Sequence, residues 1–235
     1  MNDASTAEKA QRVRIRFARG PEATSIGHLD LSRAWEHALR EGGVPLSYSP
    51  GNRKQARLTI AAGLATGVTS DGELLDIVLY AHMRPDQVLE RIASHLPAGL
   101  VARDAREVGM GLPSLPASVR WADYEVDVAA DAAQARAAVE ALLSRVELSW
   151  EDTRGEKTRH YDLRPLVLEL RADSCGGATR LTMRLRSDAQ GVGRPDQVVK
   201  ALGLPEALRV HRTALVLANV SPAHEAWRRR GRLLA

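Results

Sequence analysis

An α+β fold of two tandem ferredoxin-like (βαββαβ) units with antiparallel sheets is what the sequence predicts, on three observations. Apolar periodicity runs strand, helix, strand, strand, helix, strand over residues 12–108, and the same order returns over residues 119–218. The stretch between them, "GMGLPSLPAS" (109–118), is rich in Gly, Pro and Ser and reads as a linker. The segments "RPDQVLERIASHLP" and "RPDQVVKALGLP" fall at matching places in the two halves, which points to a duplicated unit.

The elements follow in order. "RVRIRFARG" alternates, with Val13, Ile15 and Phe17 on one face and Arg12, Arg14 and Arg16 on the other, so it is a half-buried strand. Residues 29–41 switch to helical spacing through Leu31, Trp35, Ala38 and Leu39, with Gly42-Gly43 as the stop. "VPLSYS" and "ARLTIAAG" read as strand pieces divided by Pro50-Gly51, and "ELLDIVLYA" as a further strand. "RPDQVLERIASHL" is a helix with Pro85 in its opening turn, and "LVARDAREV" closes the half as a strand. After the linker come the strand "VRWADYEVDV" and the alanine-rich helix "ADAAQARAAVEALLSR". Residues 146–162 are extra relative to the first half and read as a hairpin arm. "LRPLVLELRA" and "ATRLTMRLRS" are strands around a Cys175-Gly176-Gly177 turn, "RPDQVVKALGL" is a helix and "ALRVHRTALVLA" the final strand. Residues 1–11 are expected to be a disordered lead-in, and residues 219–235 a basic, Trp-bearing tail or helix.

Composition narrows the function classes. The apolar runs fall far short of the roughly 18 residues that span a bilayer, and the polar start lacks the apolar core of a signal peptide. One cysteine, Cys175, excludes an internal disulfide framework and fits a reducing compartment, so the expected location is the cytoplasm. It also leaves too few thiolates for an iron–sulfur cluster or a cysteine zinc site made by this chain alone, and no cofactor or metal is expected. The net charge of +4 is unevenly spread. Residues 12–57 carry nine Arg/Lys against four Asp/Glu, residues 58–149 seven against thirteen, and residues 150–235 sixteen against ten. Two basic thirds around an acidic middle either form a patch that attracts a polyanion or neutralise one another across the fold.

Candidate site residues fall in three places. In a ferredoxin-like sheet the first and third strands are central, so Arg12, Arg14 and Arg16, with Arg184 and Arg186, would line a sheet face as phosphate donors. The competing reading pairs such arginines with Glu73, Asp76, Glu125, Asp127 or Glu169 on neighbouring strands. The aromatic platforms by which RNA-recognition sheets stack bases are missing, since the chain has one Phe and four Tyr. The loop "SPGNRKQAR" adds Arg53, Lys54 and Arg57 as a compact anion-binding set. His28, before Asp30 at a helix start, could serve as acid or base, or simply tie down the loop. "RSDAQGVGRPD" places Gly191 and Gly193 before a helix but is neither a P-loop nor a dinucleotide fingerprint.

The segments "RVRIRFARG", "GHLDLSRAWEHALREGGVPLSYSPG", "LATGVTSDGELLDI", "YDLRPLVLEL" and "ALGLPEALRVHRTALVL" resemble the radical-SAM-linked domain-of-unknown-function family, in the right order from about residue 12 to 217. That resemblance implies a non-catalytic accessory role: a radical SAM enzyme as partner and RNA as a substrate. The chain has no CxxxCxxC, so the cluster would sit on the partner. Where the family loop runs Gly-Phe-Asn-Pro-His-Pro, this chain has Gly51-Asn52-Arg53-Lys54-Gln55. The layout also resembles, by position alone, repeat-associated CRISPR RNA endonucleases, which leaves a metal-independent RNA-cleaving enzyme using His28 as an alternative, beside a pure protein-interaction module.

Overall fold

In the computed structural model, which describes residues 8–155 and 157–218, the chain is a mixed α+β protein built on one largely antiparallel sheet. The first half contributes β1 (Gln11–Arg19), α1 (His28–Glu41), β2 (Leu58–Ile60), β3 (Thr69–Leu79), α2 (Pro85–Ile92) and β4 (Leu100–Val108). A short helix, α3 (Leu115–Ser118), precedes the second half. That half comprises β5 (Val119–Val128), α4 (Ala132–Leu143), β6 (Ser149–Arg154), β7 (Lys157–Asp162), β8 (Val167–Cys175), β9 (Ala178–Asp188), β10 (Gly191–Val192), α5 (Pro195–Ala201) and β11 (Ala207–Leu217). The sheet runs β10-β9-β5-β11-β3-β1-β4, with β2 on β3 and β8 on β9; β6 and β7 pair as a separate hairpin.

Alternation decides which face each strand buries. Val13 and Ile15 pair in register with Ile77 and Leu75, and these pack with Phe17 beneath Trp35, Leu39, Val88 and Ile92 of α1 and α2. Phe17 meets Trp35 edge-on at 4.9 Å, a favoured aromatic geometry. In the second half Val126, Val128, Leu181, Met183 and Leu185 meet Ala135, Val139, Val198 and Val199 of α4 and α5. The Asp131 carboxylate accepts from the Ala133 and Gln134 amides, satisfying two orphan donors where α4 begins. The duplicated Arg-Pro-Asp-Gln does the same job twice: Arg84 and Arg194 are extended N-cap residues, each followed by proline and bonded to the aspartate two residues on.

The halves join along a narrow seam. Here β11 lies parallel to β3, in register at only two positions, His211↔Thr69 and Arg212↔Ser70. Gly72 makes the approach possible, because a Cβ there would sit 2.4 Å from the Thr213 carbonyl oxygen.

Several expectations are revised. β3 begins at Thr69, ahead of the expected Glu73, and that added length forms the seam. "VPLSYS" gives only isolated bridges at Leu46 and Tyr48, and "ARLTIAAG" shrinks to β2, because Pro45 and the Ser49–Gln55 loop divert the chain. Arg164–Leu166 form a 3-10 turn before β8 rather than its start. Residues 109–118 are no free connection: Leu115 is fully buried, and the Leu112 and Pro113 carbonyls accept hydrogen bonds from Arg12. Within the expected lead-in, Ala10 and Glu8 are hydrogen-bonded to Leu79 and Ser47; residues 1–7 and the basic tail 219–235 lie outside the described residues. Among the described residues no helix is long and apolar enough to cross a membrane.

Candidate functional site

The seam carries polar networks on both faces of the sheet. On the helix-covered face Arg212 donates from Nε to Glu73 Oε1 at 2.7 Å and pairs again through its second nitrogen. Its remaining donors reach the Gly63 and Ala62 carbonyls, and Ser70 Oγ donates to the same Glu73 oxygen at 2.6 Å. Arg212 is 2% exposed and Glu73 1%. Burial works against the Arg212 charge, yet Glu73 and Tyr124 outweigh it and hold the guanidinium above its ordinary value. Arg19 nearby is pulled down by burial, against the attraction of Glu73 and with the repulsion of Arg212; its donors end on the Ala23, Thr24 and Leu64 carbonyls.

On the opposite, open face His211 spans the seam. Its Nδ1 lies 2.8 Å from Thr69 Oγ1 and its Nε2 3.1 Å from Asp71 Oδ2. Both ring nitrogens are therefore engaged and the imidazole orients its neighbours. Around it lies a cleft of about 720 Å³ whose lining draws on both halves. It holds four guanidinium groups (Arg16, Arg171, Arg184, Arg209) and four carboxylates (Asp71, Asp123, Glu125, Glu169). Most are mutually paired. Arg184 binds Asp123 with two bonds of 2.7 and 2.9 Å and Glu169 at 3.1 Å, and Arg209 reaches Asp127 and Glu125 loosely at 3.4 and 3.9 Å. Arg171 is exposed and has no partner among the described residues.

A second groove, about 490 Å³, opens beside the Ser49–Gln55 loop. Lys9, Arg12 and Arg57 line it against one carboxylate, Asp76, which is already taken up by Arg12 and Arg14. The two recesses thus differ in electrostatic character: the cleft is charge-balanced and the groove is basic.

The sequence-predicted residues divide accordingly. Arg12 and Arg14 are buried and paired with Asp76, so the open guanidinium row expected on β1 is a covered ion-pair ladder; the linker supplies the cover. Arg16, at the far end, donates to the Asp71 carbonyl at 3.4 Å and lines the cleft. Arg184 is tied to Asp123, as cross-strand pairing requires; Arg186 lies over the Trp121 ring at 5.0 Å and pairs with Asp188 and Gln190. Arg53 and Lys54 are exposed on the loop, and Arg57 donates to the Tyr48 carbonyl at 3.2 Å. His28 opens α1 with an exposed side chain, apart from these groups. Among the described residues no group of three or more His, Cys, Asp or Glu is placed to hold a metal ion. Sequence reasoning overlooked His211, Asp71 and Arg171. Alternation in "RVHRTALV" marks one face of β11, but nothing local brings that face to Thr69 and Asp71.

The model of a family described as uncharacterized proteins conserved in bacteria, DUF2344, matches residues 12–195. The chain belongs to this family. The DUF2344 match runs from Arg12 on β1 to Pro195 at the start of α5, so it takes in the groove, the loop and one side of the seam. No curated protein matches the chain. Among solved structures it is similar to a chain of a Cbf5-Nop10-Gar1 complex, with a TM-score of 0.45 and 9% identity, over 86% of this chain and 48% of that one. It therefore spans about half the length of that neighbour. An RAMP protein binding different RNA substrates is similar with a TM-score of 0.20 and 13% identity, over 88% of this chain and 100% of that one.

Proposed function

We propose that the chain is a pair of ferredoxin-like units, residues 12–108 and 119–218, acting as a non-catalytic accessory protein that holds a polyanion, RNA, for a radical SAM enzyme in the cytoplasm. Support for the two units comes from strand order, which reads β4-β1-β3-β2 in one half and β8-β9-β5-β11 in the other, each with two helices on one face. The radical SAM partner rests on the sequence resemblance. One observation carries polyanion binding: Lys9, Arg12 and Arg57 line the groove, Arg53 and Lys54 are exposed on the loop beside it, and the carboxylate in that lining, Asp76, is already held by Arg12 and Arg14. A local excess of cationic charge at an accessible edge draws in phosphates by counterion release. The non-catalytic reading is supported by His28, whose exposed side chain lines neither recess.

The test is binding of bulk tRNA at several salt concentrations by the wild type and by an Arg53→Glu/Lys54→Glu/Arg57→Glu variant. We expect salt-sensitive binding whose log–log slope falls by roughly two when these three cations are reversed. Absence of binding at low salt, or binding unchanged by the variant, would remove the groove from this role.

A further inference from the structure

We propose that the basic groove takes its polyanion as a single strand, seating an unpaired base against Met110 and Leu112 while the neighbouring cations hold the phosphates; the proposal rests on the polyanion reading above. Two kinds of side chain line this one recess. Lys9 and Arg57 supply charge, and Met110 and Leu112 supply apolar surface that is 43% and 54% exposed. Large apolar side chains left in water beside cations suit a ligand that carries both phosphates and ring faces.

Both segments are fixed before a ligand arrives. The turn bearing Met110 is closed by the Leu112 amide, which donates to the Gly109 carbonyl at 3.2 Å, and the Leu112 carbonyl accepts from Arg12 at 3.0 Å. Leu115, fully buried, anchors the end of this stretch. Across the loop the Ser49 amide donates to the Gln55 carbonyl at 2.8 Å and the Gln55 amide to Ser49 Oγ at 3.0 Å, which closes the segment that carries Arg53 and Lys54. A site held in this way has little order left to lose on binding. A duplex would meet its cations but would leave the apolar surface uncovered, because paired bases keep their ring faces stacked inside. An unpaired base exposes such a face, and the thioether of Met110 adds a favourable contact between sulfur and ring. Every base has a ring face, so the seat tolerates sequence.

The experiment compares fluorescently labelled oligo-U of twelve nucleotides, an abasic strand of the same length and charge, and a twelve-pair RNA duplex, by anisotropy at several salt concentrations. We expect oligo-U to bind about five- to tenfold more tightly than the abasic strand, with the same salt slope. Met110→Ser/Leu112→Ser removes exposed side chains and none of the hydrogen bonds above; it should erase that difference and leave duplex binding unchanged. Arg53→Glu/Lys54→Glu should weaken oligo-U and the abasic strand equally. Equal, salt-dependent affinity of the wild type for these two strands would overturn the base seat and leave the polyanion reading standing, as would a difference that survives in the serine variant. No binding of any probe would bring down both.

Discussion

Arg212 and Glu73 meet almost without solvent, and the energetics of that pair are asymmetric. Two charges removed from water gain little over a well-packed apolar pair, but stranding one of them is costly. Arg212→Met leaves the Glu73 carboxylate buried with one hydroxyl donor, Ser70 Oγ, as its remaining bond from this network. We expect a loss of about 3–5 kcal/mol in urea unfolding, with much of it recovered in the Arg212→Met/Glu73→Leu double variant. Asp127 provides a pH-dependent counterpart near the surface. Hydrogen bonds from Arg180 hold its carboxyl below the ordinary carboxylate value, against the effect of partial burial. A depressed carboxyl contributes stability that is present above its unfolded value and lost as pH falls through its folded one. The melting temperature should therefore drop more steeply below about pH 4 in the wild type than in Asp127→Asn, read by melts between about pH 2 and 6. Alternation alone placed Arg12, Arg14 and Arg16 on one face of β1. Among the five carboxylates the competing reading offered as partners, it could not single out Asp76, which stands opposite Arg14 in the β1–β3 register and makes Arg12 and Arg14 structural.

At the level of elements, Gly72 is the residue on which the seam depends. A methyl group at this position would collide with backbone of β11, which cannot rotate away as a side chain can. Gly72→Ala should cost about 3 kcal/mol, the upper end of ordinary overpacking. Hydrogen exchange should show early loss of protection at Thr69–Ser70 and His211–Arg212 in that variant, while β1 and β5 stay protected; uniform loss would argue against a local seam defect. Sheet elements with a strong period were legible in sequence, β1, β4, β5 and β9 among them. The start of β3 was not, because "TSDG" carries turn-forming residues and its extended conformation comes from pairing with a strand some 140 residues away. Residues 109–118 are a similar case: Gly, Pro and Ser describe their backbone freedom, whereas their attachment comes from the Arg12 donors and from Leu115 in the apolar core.

For the whole molecule, the continuous sheet predicts cooperative behaviour. Cross-seam bonds by His211 and Arg212 tie two cores, one around Trp35 and Phe17 and the other around Met183 and Val126. Protection of β1 and β5 should therefore be lost at the same urea concentration in the wild type, as measured by pulsed hydrogen exchange; two separate midpoints would show that the seam does not couple the halves. The charge asymmetry along the chain also resolves at this scale. Much of the acidic middle segment is spent on arginines of the two basic ones, as in Asp76 with Arg12 and Arg14, Asp123 with Arg184, and Asp127 with Arg180 and Arg209. What remains basic is the groove with its loop, and that remainder bears on partner choice.

The sequence by itself determined most of the order of elements, the apolar face of the strongly periodic strands and membership of a family of unknown function, because these depend on local periodicity and on matched motifs in the right order. Tertiary structure alone decided which cations stay available, which histidine stands in a cleft and where the two halves meet. Each of those outcomes turns on a register between distant strands, and a register of that kind is set by which apolar faces pack together, not by the residues that neighbour one another along the chain.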